Sequence, residues 1–101
     1  MKFIYRNDLS EDVNDLRWFA FHNDMNRFKN KIDDILIKYF DKSFEYKINI
    51  ESIFKEIYLY SCLCNFWEGI TLLNELYDSF DPFEKIALKP VLTYGKYLTR
   101  K

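Results

Sequence analysis

The chain has 101 residues, of which 49% are apolar and 20% aromatic, and its net charge is −1. This length supplies one core, so we expect residues 1–101 to form a single helical domain. The chain contains only two glycines and two prolines. So few turn residues exclude a sandwich or barrel of many short strands, and they favour an all-α bundle of about four to six helices.

The location of the protein is indicated by what the sequence lacks. No apolar run approaches the ~18–20 residues of a membrane span, and no signal peptide is visible. Cys62 and Cys64 lie two apart in an apolar helical pattern, so their side chains diverge by about 200° around the helix axis. We expect both to be reduced and buried, which indicates a cytoplasmic protein.

The first helical signal begins at Ser10, a residue suited to capping a helix. Apolar residues then alternate in steps of three and four. A single helix over residues 11–41 and a break near Asn23 and Asp24 are both compatible with this pattern, and we favour the break because Asp24 can cap a second helix. The apolar positions indicate core packing, with a coiled-coil dimer as the alternative: Trp18, Phe21, Met25, Phe28, Ile32, Ile35 and Tyr39.

Two short segments have some character of β-strands. Apolar and charged residues alternate over residues 43–48, and we expect residues 2–6 to form a short extended segment. A minor two-stranded element formed by these segments is possible, and an extended linker is the alternative.

The second half of the chain predicts further helices. Asn49 is a candidate cap for the next helix. A turn near Asn65–Gly69 would end that helix and make a helical hairpin, and a continuous helix is the alternative. Asp81 and Glu84, with Pro82 between them, predict a capping box. Pro90 is then expected to end or kink that helix, so that residues 91–98 form a last short one.

The same half contains a weak repeat. Tyr60 and Tyr94 are 34 residues apart, and at that offset Ile57 matches Val91 and Cys64 matches Leu98. A helix-turn-helix unit of this period is typical of tetratricopeptide repeats. Residues 53–98 resemble such a hairpin, with Tyr60 at the family's tyrosine and Gly69 at its small residue.

The chain departs from the tetratricopeptide pattern at several positions. Ile53, Glu56 and Ile57 stand where the family has tryptophan, leucine and glycine; Leu73 replaces phenylalanine, and Pro82 is one place late. Two ordinary amphipathic hairpins would give the same periodicity. The resemblance implies a surface for binding proteins and no catalysis.

Residues that carry chemistry are sparse. His22 is the sole histidine, and neither cysteine has a histidine at a recognisable spacing. No glycine-rich phosphate loop or set of metal ligands is present. We therefore expect a protein that is not an enzyme and that uses no cofactor or metal.

The charged residues are segregated along the chain. One acidic run covers residues 8–15, and a second stretch from Glu56 to Glu84 contains no lysine or arginine, whereas residues 85–101 contain basic residues and no acid. An ordinary solvated face is one interpretation. The functional one is an acidic, aromatic-flanked surface that binds a basic protein. Its predicted residues are Glu68, Glu75, Asp78, Asp81 and Glu84, with Trp67, Tyr77, Phe80 and Phe83 as exposed aromatic anchors.

Immunity and antitoxin proteins that neutralise nuclease toxins are typically acidic inhibitors of a basic partner. We predict this function, with a basic, nuclease-like protein as partner. Two alternatives stay open: a nucleic-acid-binding regulator that uses the basic C-terminus, and a helical scaffold or adaptor, with a homodimer possible.

Overall fold

The computed structural model describes residues 2–40 and 44–99, without the side chains of residues 39–49. In these ranges the chain forms five α-helices and no β-strand, and none of the helices is long and apolar enough to cross a membrane. The all-α prediction is confirmed. The helices are α1 (Glu11–Phe21), α2 (Met25–Phe40), α3 (Phe44–Leu63), α4 (Trp67–Asp78) and α5 (Pro82–Leu98).

The predicted two-stranded element is wrong. Residues 2–6 have no regular structure and residues 44–48 begin α3, while Ser43 lies outside the described residues. Alternation over a few residues is a weak signal, and here a 20-residue helix that packs against all four others outweighs it. Asn49 lies within α3 for the same reason and does not cap it.

Asparagine turns separate α1 from α2 and α3 from α4. Asn23 and Asn65 have φ angles of 55° and 53°, in the left-handed region that asparagine tolerates better than most residues. In both turns the N–H of the next residue donates to the carbonyl oxygen five residues earlier, at 2.9 Å. The predicted break at Asn23 and the predicted turn at Asn65 are confirmed, although Gly69 lies inside α4.

Side-chain caps begin three of the helices. Ser10, Asp24 and Asp81 each accept a hydrogen bond from the backbone N–H three residues on, at 3.3, 3.2 and 2.8 Å. The Glu84 carboxylate accepts in return from the N–H of Asp81 at 3.1 Å, which completes the predicted capping box.

Pro90 does not end α5, contrary to prediction, and residues 91–98 are the second half of one 17-residue helix. Proline removes the hydrogen bond to the carbonyl four residues earlier, which here belongs to Ile86. Pro90 is exposed and Ile86 is 73% exposed. On this side of the helix water can satisfy the freed carbonyl, so the helix tolerates the residue.

The five helices lie in two rows around a common core. α3 packs against both α1 and α5, while α2 and α4 pack against each other and against α3. The order is that of stacked helical hairpins, with α5 at one end of its row. Kinship with tetratricopeptide repeats stays a prediction.

The core confirms part of the predicted apolar pattern of α1 and α2. Phe28, Ile32 and Ile35 are buried, whereas Trp18 is 45% exposed. The Phe28 ring meets Phe66 of the α3–α4 turn edge-on, with ring centres 5.0 Å apart. This contact joins α2 to the start of α4.

The cysteines are free thiols, as predicted. Cys62 is buried, and burial raises the pKa of its thiol to about 11. Cys64 is only half-buried, although burial raises its pKa as well.

Candidate protein-binding surface

The two acidic runs of the sequence have different surroundings. Asp12 and Asp15 each lie 3.3 Å from the Nζ of Lys31, and Asp12 also lies 3.4 Å from that of Lys38. Burial opposes the charge of Lys31, but hydrogen bonds to these carboxylates outweigh it, and the pKa of Lys31 is raised. Basic side chains of the chain itself therefore neutralise much of the first run.

The acids of α4 are not neutralised in this way. Glu68, Glu75 and Asp78 are exposed, and no ion pair joins them to a basic side chain in residues 2–38 or 50–99. Glu68 and Glu75 lie about 20° apart around the helix axis, and Asp78 lies about 60° from Glu75. The three carboxylates therefore share one side of α4, facing solvent.

Trp67 lies on this side of α4 too. Its side chain is 51% exposed, and it is about 20° from Asp78 around the axis, at the other end of the helix. We call Trp67, Glu68, Thr71, Glu75 and Asp78 the acidic α4 face. The structure thus brings four of the nine predicted site residues together on one exposed helical surface.

Asp81 and Glu84 follow the end of α4 and have a structural role. Both carboxylates accept backbone N–H groups in the capping box, and Glu84 is half-buried. Their negative charge at the start of α5 is favourable to the helix dipole. Partner binding by these two residues stays a prediction.

The predicted aromatic anchors differ in exposure. Phe83 is 85% exposed, but Phe80 is buried, 6% exposed, with its ring centre 5.6 Å from that of Phe54. The prediction that Phe80 is exposed is wrong, because the turn after α4 directs this side chain into the core. Tyr77 is half-buried, and its hydroxyl donates to the carbonyl of Lys85 at 2.9 Å.

A second exposed surface was missed by the sequence analysis. On the side of α5 opposite α3, large apolar side chains recur in steps of three, four, four and three, and most of their area is exposed. The pattern was hidden because Pro90 was expected to divide the helix. We call these residues the outer α5 face: Phe83, Ile86, Pro90, Tyr94 and Tyr97.

Basic residues border the outer α5 face along one side. Lys89 and Lys96 are exposed and Lys85 is half-buried, whereas Arg100 and Lys101 lie outside the described residues. These lysines are nearly aligned along the helix, about 40° apart at most. The predicted basic C-terminus is thus an edge of α5 beside exposed tyrosines.

No group of three or more His, Cys, Asp or Glu residues in residues 2–40 and 44–99 is placed to hold a metal ion. His22 is the C-cap of α1, and its ring lies against that of Trp18 at a tilt of 56°, with ring centres 4.1 Å apart. The exposed surfaces of α4 and α5 are the candidate binding sites of the described residues.

Comparison with protein-family models, curated proteins and solved structures found no match to this chain.

Proposed function

We propose that the protein is an inhibitor of the immunity or antitoxin type, which binds a basic, nuclease-like toxin through the acidic α4 face. The observation that carries the proposal is the contrast between the two acidic runs. Asp12 and Asp15 are paired with lysines of the chain itself, whereas Glu68, Glu75 and Asp78 are exposed and have no such partner in the described residues.

Unpaired carboxylates on one side of a helix favour a basic partner for a physical reason. Their potentials add over the shared surface, which speeds encounter with a basic protein and repels an acidic one. A nuclease presents basic residues where it holds phosphates. An acidic face that covers those residues would prevent substrate from binding, which inhibits the enzyme without any chemistry by the inhibitor.

Trp67 supplies the apolar contact that charged residues alone do not provide. Tryptophan is enriched among the few residues that dominate the affinity of protein interfaces. Trp67 lies at the first position of α4, and half of its surface is exposed beside the carboxylates. Its burial against a partner would contribute apolar contact at one end of a polar surface. Charge then governs the rate of association, and Trp67 governs the rate of dissociation.

The test begins with purification of the tagged protein from its native host and identification of a basic partner. The pair is then reconstituted from purified components, and its Kd and the nuclease activity of the partner are measured. We expect a one-to-one complex that abolishes nuclease activity and weakens as salt is added. The double variant E68K/E75K should weaken binding at least about tenfold, which is about 1.4 kcal/mol.

The matched control is D33K/D34K, which changes the net charge by the same amount at exposed acids of α2. It should bind as the wild type does. Recovery of no basic partner, or equal affinity of E68K/E75K and wild type, would show the proposal to be wrong.

A second candidate function is favoured by the lysines beside the outer α5 face. Lys89 and Lys96 can contact phosphates, and the exposed Tyr94 and Tyr97 can stack on unpaired bases. Fluorescence anisotropy with single-stranded RNA and DNA at low salt tests this regulator-type function. Binding lost in K89E/K96E would support it, and no binding by the wild type would exclude it.

A further inference from the structure

We infer that the outer α5 face is a dimer interface, covered in solution by the same face of a second copy of this chain. Helices normally bury their large apolar residues, yet Phe83, Ile86 and Tyr97 are 85%, 73% and 81% exposed. A contiguous apolar surface of this kind on a soluble helix marks an interaction site. This inference does not depend on the function proposed for α4.

The position of α5 in the fold explains why its outer face is uncovered. α5 packs chiefly against α3, and it uses the opposite side of the helix, with Leu88, Val91 and Gly95, to do so. It therefore ends its row of helices with an apolar surface. No other helix among the described residues covers this surface.

The exposed area matches what a dimer requires. At their observed exposures the three aromatic residues, Ile86 and Pro90 offer on the order of 600 Å² per copy, given about 150–250 Å² for a full aromatic side chain. A standard interface uses ~800 Å² per partner. Contacts by the flanking Thr93 and Lys89 would supply the remainder.

The shape and charge of the face favour a second copy over a foreign protein. Pro90 and Tyr94 separate two shallow grooves of about 430 and 470 Å³, one towards α3 and one along α5. In a dimer, the ridge formed by Pro90 and Tyr94 of one copy can pack into a groove of the second copy, as helix ridges pack into grooves. None of the five residues of the face is charged, and the lysines lie along one edge of it, so a two-fold axis can bury the apolar residues of both copies against each other while the ammonium groups of Lys89 and Lys96 stay in solvent.

Sedimentation equilibrium and light scattering of the purified full chain test the inference, from about 1 to about 200 µM. The wild type should approach twice the chain mass of 12.4 kDa. The variants I86E and Y97E should remain monomeric, with unchanged helical circular dichroism, because both side chains are exposed in the monomer. Added salt should leave the apolar dimer intact, in contrast to binding at the acidic α4 face.

The matched control is I37E, which places the same charge on α2 at another exposed isoleucine, 66% exposed. It should dimerise as the wild type does. A wild-type chain that stays monomeric throughout this range, or I86E and Y97E variants that dimerise normally, would overturn the inference. Binding of a monomer to lipid vesicles or to a foreign helix through this face would also overturn it.

Discussion

Asn14 and Arg6 are joined by two hydrogen bonds in opposite directions. The backbone N–H of Arg6 donates to Oδ1 of Asn14 at 3.0 Å, and Nδ2 of Asn14 donates to the carbonyl oxygen of Arg6 at 2.9 Å. Asn14 is 2% exposed, and its Nδ2 also lies 3.3 and 3.2 Å from the carbonyl oxygens of Leu9 and Ser10. One buried amide thus fixes the N-terminal segment against α1.

Replacement of Asn14 by Asp should destabilise the protein by about 1–3 kcal/mol, since a carboxylate cannot donate to the carbonyl oxygens of Arg6, Leu9 and Ser10. The buried Arg17, whose Nη1 donates to Oδ1 of Asn14 at 3.2 Å, would offset part of the cost of burying the charge. Urea unfolding measures the loss, and hydrogen exchange should show faster exchange over residues 2–9. Asn7→Asp, the same change at an exposed residue, should be nearly neutral. Equal effects of the two variants would contradict this account.

Much of the helical architecture could be predicted because its signals are local. Ser10, Asp24 and Asp81 cap helices through hydrogen bonds to residues three positions away, and the sequence displays both partners. The roles of Asn14 and Pro90 could not be predicted, because they depend on packing. Asn14 binds a segment whose path the sequence does not specify, and Pro90 is tolerated because its side of α5 faces solvent.

The candidate surfaces likewise combine features that local sequence predicts with features that depend on packing. The carboxylates of α4 follow from helical spacing and a local excess of charge. Their lack of ion pairs depends on where the lysines of α2 lie, which periodicity does not reveal. The outer α5 face follows from the helical spacing of apolar residues between Phe83 and Tyr97. It was not predicted, because Pro90 was expected to divide this helix.

Gly95 permits the close approach of α5 to α3, and Gly95→Ala should destabilise the protein by about 1–3 kcal/mol. An added Cβ would lie 2.6 Å from a ring carbon of Tyr58 and 2.9 Å from the Sγ of Cys62. Both side chains are buried and cannot move aside easily. This cost should exceed the ~1 kcal/mol that alanine gains over glycine in a helix.

Thermal and urea unfolding of G95A measure this balance. Thr93→Ala, at an exposed position of the same helix, is the control and should have no cost in packing. A G95A variant more stable than the wild type would show that the contact between α3 and α5 is loose.

Stability should fall at alkaline pH because the buried Cys62 and the half-buried Tyr60 of α3 resist ionisation. Burial raises the pKa of Cys62 from 9.0 to about 11, and it raises that of Tyr60 from 10.0 to about 12. The folded state therefore holds these protons more tightly than the unfolded state does. The stabilisation is complete below about pH 9 and is lost as pH rises towards 12, with on the order of 2 kcal/mol from Cys62.

Urea unfolding between about pH 8 and about pH 11 measures this loss, and ultraviolet titration reports tyrosine ionisation. C62A and Y60F each remove one titrating group, so each should flatten the pH dependence relative to wild type. A wild-type stability that stays constant up to pH 11 would contradict the burial of both groups.

We expect the same substitution, phenylalanine to alanine, to have very different effects on stability at Phe80 and at Phe83. Phe80→Ala should cost about 3–5 kcal/mol, because its ring is buried against Phe54 and truncation leaves a cavity. Phe83→Ala should change the stability of the monomer by less than about 0.5 kcal/mol, since the ring is 85% exposed. Unfolding at low protein concentration, where a dimer dissociates, measures both losses of stability.

At high concentration F83A should in addition weaken self-association through the outer α5 face. The substitution removes the same ring at both positions. A large loss of monomer stability in F83A would therefore place the Phe83 ring in the core and remove it from the outer α5 face.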